Sequence, residues 1–413
     1  MDVQLVAGLR LHARLKREIY AKSGQTFALG ALPRILWVKN KLPDIYEKTA
    51  KVGMFNDWLI YKLTGELAVE PSNGSTTGMM NLRSRTWAPE IAEKCGLRTD
   101  IFPAVVESGT LLGHVGAKGA ADSGLAEGTA VVVGGDCQLC TIVVGACCPE
   151  QAAVFGGSFW QYEFNTASGA TDPDCRVRVN CHAVPRLWQY EALAIKPGLV
   201  MRWFRDGFCQ QEKAEAERTG RDPYDLMNEK ARDIPAGCYG MMCCFSDLMN
   251  FINWKQASPT FTNFALDPKR FNRYTFYRAI LENTALLVKG HIELVKEATG
   301  SEPEELICAG GAAKSPLWSR ILADVTGKPV RVPVVKEATA LGAAILAGYG
   351  VGLYSGIEEG ARRTVRWDAT FQPDSSAHGA YQKLYGSWRQ IYAAQLALCD
   401  RKLTRNMWIA TGL

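Results

Sequence analysis

Apolar positions along the chain alternate between short β-branched runs and longer stretches with helical spacing. Leu32, Ile35, Leu36 and Trp37 fall on one helical face that stops before Pro43. Val52 to Phe55 reads as a short strand, after which Asp57 caps a helix over Trp58 to Leu63, closed by Gly65. Pro71-Ser72-Asn73-Gly74 reads as a turn. Three apolar runs are predicted as strands, each ending in a glycine pair: Ala130 to Val133 before Gly134-Gly135, Ala152 to Phe155 before Gly156-Gly157, and Leu306 to Ala309 before Gly310-Gly311. Asp222-Pro223 starts a helix with a capping residue and a proline at its first position. Phe271 to Thr299 forms one long amphipathic helix ending at Gly300, and further helices run to Thr326, over Thr339 to Ala347, and from about Ala377 to Lys402. The first twenty residues admit a basic helix, although Leu5, Leu9, Ile19 and Tyr20 are poorly periodic. Strands alternating with helices predict an α/β protein. Cys148-Pro149-Glu150 separates two strand–glycine units, which predicts a boundary between a unit over 1–149 and one over 150–413.

At 413 residues the chain is long enough for two domains, and 47% apolar with 22% charged residues is the balance of an ordinary globular protein. The net charge of +5 is spread along the chain, so a mixed solvated surface is expected and no nucleic-acid partner. Residues 1–20 carry Arg10, Arg14, Lys16 and Arg17 without the apolar core of a signal peptide. The most apolar run, Ala130 to Cys148, is broken by Gly134, Gly135, Asp136 and Gln138, so no membrane span is expected. Thirteen cysteines without a secretory signal fit reduced thiols in the cytoplasm. Cys137 and Cys140 form a CxxC, but with no second pair and no histidine nearby they read as small buried side chains, as do Cys243-Cys244. The five histidines are scattered, which argues against a histidine metal site. Trp188, Trp203 and Phe204 read as core.

The glycine pairs carry the candidate chemistry. Asp136, just past Val131-Val132-Val133-Gly134-Gly135, would stand at the C-terminal edge of a sheet, where ligands collect in open α/β folds. There it is placed to take a proton from a hydroxyl during phosphoryl transfer, or simply to cap the next helix. Gly156-Gly157-Ser158 offers bare amides and a hydroxyl to phosphate oxygens, and equally reads as a hairpin turn. Gly310-Gly311-Ala312, followed by Lys314-Ser315-Pro316, suits the edge of a nucleotide site or a plain strand-to-helix turn. The spacing before Lys314-Ser315 is not that of a P-loop.

Taken in order, the three units are more specific than any one alone. Together with Leu32-Pro33-Arg34-Ile35-Leu36-Trp37, Asn56-Asp57-Trp58-Leu59, Leu63-Thr64-Gly65-Glu66, Pro71-Ser72-Asn73, Ala323-Asp324-Val325-Thr326-Gly327-Lys328 and Glu337-Ala338-Thr339-Ala340-Leu341-Gly342, they resemble the FGGY carbohydrate kinases from about Gln25 to the C-terminus. Met201-Arg202-Trp203-Phe204-Arg205-Asp206, Phe245-Ser246-Asp247 and Val334-Val335-Lys336 resemble the autoinducer-2 kinase branch of that family. The resemblance implies an actin-like fold of two ribonuclease-H-like domains around a cleft, ATP on the C-terminal side, and Mg2+ neutralising its phosphates. It implies a small-molecule acceptor, 4,5-dihydroxy-2,3-pentanedione, phosphorylated on its terminal hydroxyl; another sugar, such as a ketopentose, stays open as the acceptor. Asp136 matches the catalytic base, with Gln138 beside it on the substrate. Gly156, Gly157 and Ser158 match the second phosphate loop. Gly310, Gly311, Ala312 and Ser315 match the adenosine loop, and Gly198 falls on the loop under the phosphates. A homo-oligomer is compatible with all of this.

Two departures accompany the match. The family opens with an Asp-x-Gly-Thr-type phosphate loop that has no counterpart here, so the first domain is expected to be incomplete and most of the activity lost, an inactive fragment being the alternative to a working kinase. A single Gly134-Gly135 pair and Cys140 stand where relatives of this branch tend to carry three glycines and a further glycine.

Overall fold

A computed structural model describes residues 13–25, 30–136, 147–246 and 255–409. The motif residues Cys137, Gln138 and Cys140 lie outside the described residues.

The N-terminal part is assembled from helices and two-stranded ribbons. Helix α1 (Ala13–Ser23) and α2 (Leu32–Lys41) bury Ile19, Leu32, Ile35 and Leu36 in a small core with Tyr46, Ile91 and Ile101. Helix α3 (Phe55–Thr64) ends at Gly65, whose φ of 83° is the left-handed conformation that glycine adopts without strain. The strand expected over Val52 to Phe55 is not formed. Phe55 is already helical, and Asp57 sits one turn in, where its Oδ2 accepts the Met54 N–H at 2.7 Å. The expected turn at Pro71 is instead a short helix, α4 (Pro71–Ser75), preceded by Glu70 as its cap. Strand β1 (Ala68–Val69) pairs in parallel with β4 (Ala104–Val105), β2 (Met80–Asn81) with β3 (Thr86–Trp87), and β5 (Leu111–His114) with β6 (Ala130–Val132), the last two pairs antiparallel. The apolar run of strand β6 would suit a buried position. It lies in a ribbon whose end is open, so Ala130 is exposed and only Val131 and Val133 are buried.

The C-terminal part is built on one seven-stranded sheet. Its strands are β7 (Ala152–Gly156), β8 (Trp160–Thr166), β9 (Arg178–Cys181), β10 (Trp188–Ala194), β11 (Leu306–Ala309), β12 (Val330–Pro333) and β13 (Trp367–Phe371). Across the sheet they run β13-β12-β11-β7-β8-β10-β9, with β12, β11 and β7 parallel at the centre. One face is covered by α7 (Arg273–Thr299), α8 (Pro316–Thr326) and α10 (Ser375–Asp400), the other by α9 (Ala338–Gly350). Helix α7 is not amphipathic as expected. It is buried without interruption from Tyr277 to Val288, and its charged side chains Arg278 and Glu282 find partners inside the core. Glu282 accepts from Arg278 Nε at 2.9 Å, Tyr381 OH at 2.8 Å and the Gly237 N–H at 3.2 Å. Helices α5 (Pro197–Phe208) and α6 (Pro223–Ala231) flank the glycine turns, and Asp222 caps α6 as its sequence implies. Phe204 on α5 is buried, but Trp203 is 53% exposed, correcting its assignment to the core.

The two parts meet along β9, the edge of the sheet. The Val179 N–H bonds to Gly24 O at 3.0 Å, and Gln25 Nε2 donates to Asn180 Oδ1 at 2.6 Å. The Cys181 N–H bonds to Ser75 Oγ at 3.0 Å, and Arg85 reaches His182 O and Leu187 O while gripping Glu107. An edge strand that would expose unpaired backbone groups is thereby covered by the N-terminal part.

Candidate active site

Strands β7 and β11 are parallel neighbours in register, Phe155 opposite Ala309, so their glycine pairs emerge side by side at the C-terminal edge of the sheet. Gly310 has φ +79°, and a Cβ there would stand 3.0 Å from Gly156 O. A Cβ on Gly156 would lie 2.2 Å from Ala312 Cβ, and one on Gly198 only 2.0 Å from Gly157 O. These glycines let three backbone segments interlock at distances no side chain permits. Gly157 differs: a Cβ there would meet only Phe159 O at 3.8 Å, so its backbone faces open space. Gly156-Gly157-Ser158 is indeed a hairpin turn, closed by Gly157 N–H to Phe159 O at 2.9 Å, and the same turn lies on a cleft wall.

Two cavities meet at these turns. One, of about 640 Å³, is lined by Asp136, Arg34, Thr76 and Gln161 and by Gly156, Gly157, Ser158, Gly310 and Gly311. The other, of about 300 Å³, is lined by Gly198, Tyr224, Asn228, Ala312, Ser315 and Trp318, and shares Gly156, Gly157, Ser158 and Gly311 with the first. Trp318 packs on Trp160 with ring centroids 4.3 Å apart and planes tilted by 40°, and Trp160 lies beneath the Gly156 turn. The Ser315 hydroxyl accepts the Trp318 N–H at 3.2 Å and so caps α8 while lining the smaller cavity.

Asp136 reaches the larger cavity from the other side. Val133 continues the β5–β6 ribbon by hydrogen bonds to Gly109 and Thr110, and this ribbon rests on the end of α9, where a Cβ on Gly350 would lie 2.6 Å from Val132 Cγ1. Beyond it the Asp136 N–H donates to Ser72 Oγ at 3.0 Å. Ser72 belongs to α4, whose cap Glu70 is 1% exposed; its carboxylate accepts the Ser72 N–H and the Asn73 N–H, each at 2.6 Å, and the Ser108 hydroxyl at 3.1 Å. Burial outweighs those bonds and, with the nearby Asp136, pushes the Glu70 carboxyl up to about 7.

The cleft floor carries a buried polar layer. Glu191 pairs with Arg178 at 3.0 Å and accepts from Asn180 Nδ2 at 2.7 Å and Gln161 Nε2 at 3.2 Å. Glu163 stands directly opposite Glu191 on β8; burial first, and then Glu191, drive its carboxyl well above the usual range. Glu70, Thr76, Arg178 and Glu191 were not singled out from the sequence, and Arg34 stood there only within a family motif. A signal for Glu70 existed: an acid before Pro71 at the first helical position is a helix-start signature. Among the described residues no group of three or more His, Cys, Asp or Glu side chains is arranged to hold a metal ion.

The model of the N-terminal domain of the FGGY family of carbohydrate kinases matches residues 9–144, and that of its C-terminal domain residues 168–351. An autoinducer-2 kinase of Yersinia enterocolitica is 48% identical over 96% of this chain and 75% of its own length. One from Photorhabdus laumondii is 47% identical with the same coverage. Among solved structures, a xylulose kinase from Rhodospirillum rubrum superposes with a TM-score of 0.80 at 24% identity, covering 96% of this chain and 78% of that one. Plasmodium falciparum glycerol kinase with ADP gives 0.79 at 19% identity, covering 95% and 78%.

Proposed function

Because the chain belongs to the FGGY family of carbohydrate kinases, with their two-domain actin-like fold, we propose that it transfers the terminal phosphoryl group of ATP to 4,5-dihydroxy-2,3-pentanedione, the linear form of autoinducer-2. The observation that carries the choice of acceptor is 47–48% identity to autoinducer-2 kinases across 96% of the chain. The cleft supports the chemistry: an acid on one wall, glycine turns without side chains on the other, and a second cavity behind those turns.

In this reading the acceptor lies in the larger cavity with its terminal hydroxyl against Asp136, which accepts the proton as the oxygen attacks phosphorus. Ser158 presents its N–H and hydroxyl to the phosphates at the junction of the cavities, and Gly157, with no side chain, leaves room for them to approach. Gly198 supports that turn from below, Gly311, Ala312 and Ser315 receive the nucleoside in the smaller cavity, and Gly310 borders it from the larger one. Mg2+ carried on the nucleotide phosphates would neutralise their charge. We assign residues 1–149 to the acceptor side and 150–413 to the ATP side. No helix among the described residues is long and apolar enough to cross a membrane, and we place the reaction in the cytoplasm, where ATP is supplied.

The test is ADP release by the purified chain with ATP, Mg2+ and dihydroxypentanedione, run beside xylulose and ribulose. Turnover on dihydroxypentanedione at least about tenfold above either ketopentose is expected, that ratio being what a few acceptor-specific hydrogen bonds supply. Preference for a ketopentose would reassign the acceptor, and no turnover on any of the three would end the reading.

A further inference from the structure

A buried carboxylate usually needs a reason, since taking a charge out of water is costly unless it gathers several hydrogen bonds. Glu70 gathers three, all within or beside α4: the N–H groups of Ser72 and Asn73 and the hydroxyl of Ser108. A five-residue helix has too few internal bonds to hold its own shape. Yet α4 is a joint between three separate elements. Ser72 Oγ receives the Asp136 N–H, Asn73 Nδ2 donates to Asn56 Oδ1 on α3, and Ser75 Oγ receives the Cys181 N–H on the sheet edge. The loop that carries Asp136 thus takes its position from a helix that Glu70 holds together.

Building on the kinase reading above, we infer that Glu70 is a positioning residue for the catalytic aspartate, acting through Ser72. The link is short and directional: Glu70 Oε2 to Ser72 N is 2.6 Å, and Ser72 Oγ to Asp136 N is 3.0 Å. Removing the ionised carboxylate frees two backbone donors at the start of α4 and lets Ser72 drift. A displacement on the order of 1 Å at a reacting group is enough to cost roughly a hundredfold in rate.

The arrangement also has a pH signature. Only the ionised carboxylate accepts on both oxygens, and Glu70 ionises at about 7. The charged or titratable groups that face it are Asp136 beside α4, Arg85 from the β2–β3 hairpin with its partner Glu107, and the Cys181 thiol on β9. Turnover therefore falls on the acid side of pH 7 as Glu70 takes up its proton.

The experiment measures kcat, KM for ATP, the pH dependence of kcat and the melting temperature for the full chain and for Glu70→Gln, Glu70→Asp and Ser72→Ala, with Asp136→Asn alongside. Glu70→Gln should lower kcat roughly ten- to a hundredfold with KM for ATP within about twofold, and should abolish the fall near pH 7. Glu70→Asp keeps the charge and should recover part of the loss, while Ser72→Ala should cost roughly fivefold in kcat. If Glu70→Gln does not fold, Ser72→Ala decides by itself. The inference is overturned if Ser72→Ala and Glu70→Gln keep kcat within twofold of the parent, or if kcat falls only with the folded fraction and the acid limb is unmoved. Asp136→Asn separates the two levels: full activity in that variant removes the base assignment itself, whereas loss there with unaffected Glu70 and Ser72 variants removes only the positioning role.

Discussion

The two walls of the cleft are made in different ways. On the C-terminal side the glycine turns are welded into a seven-stranded sheet, and their shape follows from backbone packed on backbone, as at Gly198 against Gly157. On the N-terminal side Asp136 follows a two-stranded ribbon and is placed by side-chain hydrogen bonds passing through a five-residue helix. A close-packed turn has one arrangement and resists change. A hydrogen-bonded joint can be loosened by one missing acceptor. The glycine turns thus belong to the rigid wall and Asp136 to the adjustable one.

The sharpest way to separate the walls is to change one on each side and read rate and stability independently. Asp136→Asn should lower kcat by about 10²–10⁴-fold while the melting temperature and KM for ATP stay near the parent values. A melting temperature that drops with activity would mean that Asp136 is part of the scaffold. Glu282→Ala should do the opposite. It leaves Arg278, 6% exposed, without its carboxylate and should cost about 3–5 kcal/mol in urea unfolding, with kcat of the folded fraction unchanged.

Within the rigid wall two glycines should behave differently. Gly198→Ala forces a methyl to within 2.0 Å of Gly157 O and should cost about 1–3 kcal/mol of stability. Gly157→Ala meets nothing closer than 3.8 Å, so it should melt normally and instead raise KM for ATP several-fold, roughly the effect of crowding one phosphate contact. Equal melting temperatures for the two variants would contradict the interlocked turn.

The effect smallest near neutral pH tests the core behind that wall. His291 on α7 is 1% exposed, among the described residues neither ring nitrogen has a partner, and burial lowers its pKa to about 3. Its folded pKa lies below the unfolded value, so the stability it allows is complete above about pH 6.5 and is lost as pH falls towards 3. His291→Leu should flatten the stability–pH slope across that window by up to about 1.4 kcal/mol per pH unit, measured by urea midpoints at several pH values.

Much of this could be read before any coordinates. The strands before Gly156 and Gly310 announce themselves by compact apolar runs with a hard stop, and helix ends at Gly65 and Gly300 by the one residue that takes positive φ freely. Helix α7 was legible in length but not in environment: Arg278, Glu282, Asn283 and His291 look like a solvated face, and Arg278 and Glu282 are buried only because each finds the other and Tyr381 joins them. Val52 to Phe55 misled because a β-branched residue and an aromatic in one short apolar run suit a strand locally, whereas Asp57 reaching back to Met54 starts a helix. Trp203 was assigned inward by its size, yet α5 turns it outward.

What the amino-acid order determined by itself was local: where strands stop, which turns need glycine, which acids and hydroxyls stand at helix starts, and through the order of the glycine units, the family. What the tertiary structure alone decided was adjacency. Phe155 and Ala309 are neighbours only because β7 and β11 pair across the sheet, and Glu70 governs Asp136, 64 positions beyond Ser72, only because α4 is wedged between ribbon and sheet edge. Periodicity and propensity act over one turn or one strand, whereas hydrogen bonds between distant segments are set by how whole layers pack, which no short window of residues contains.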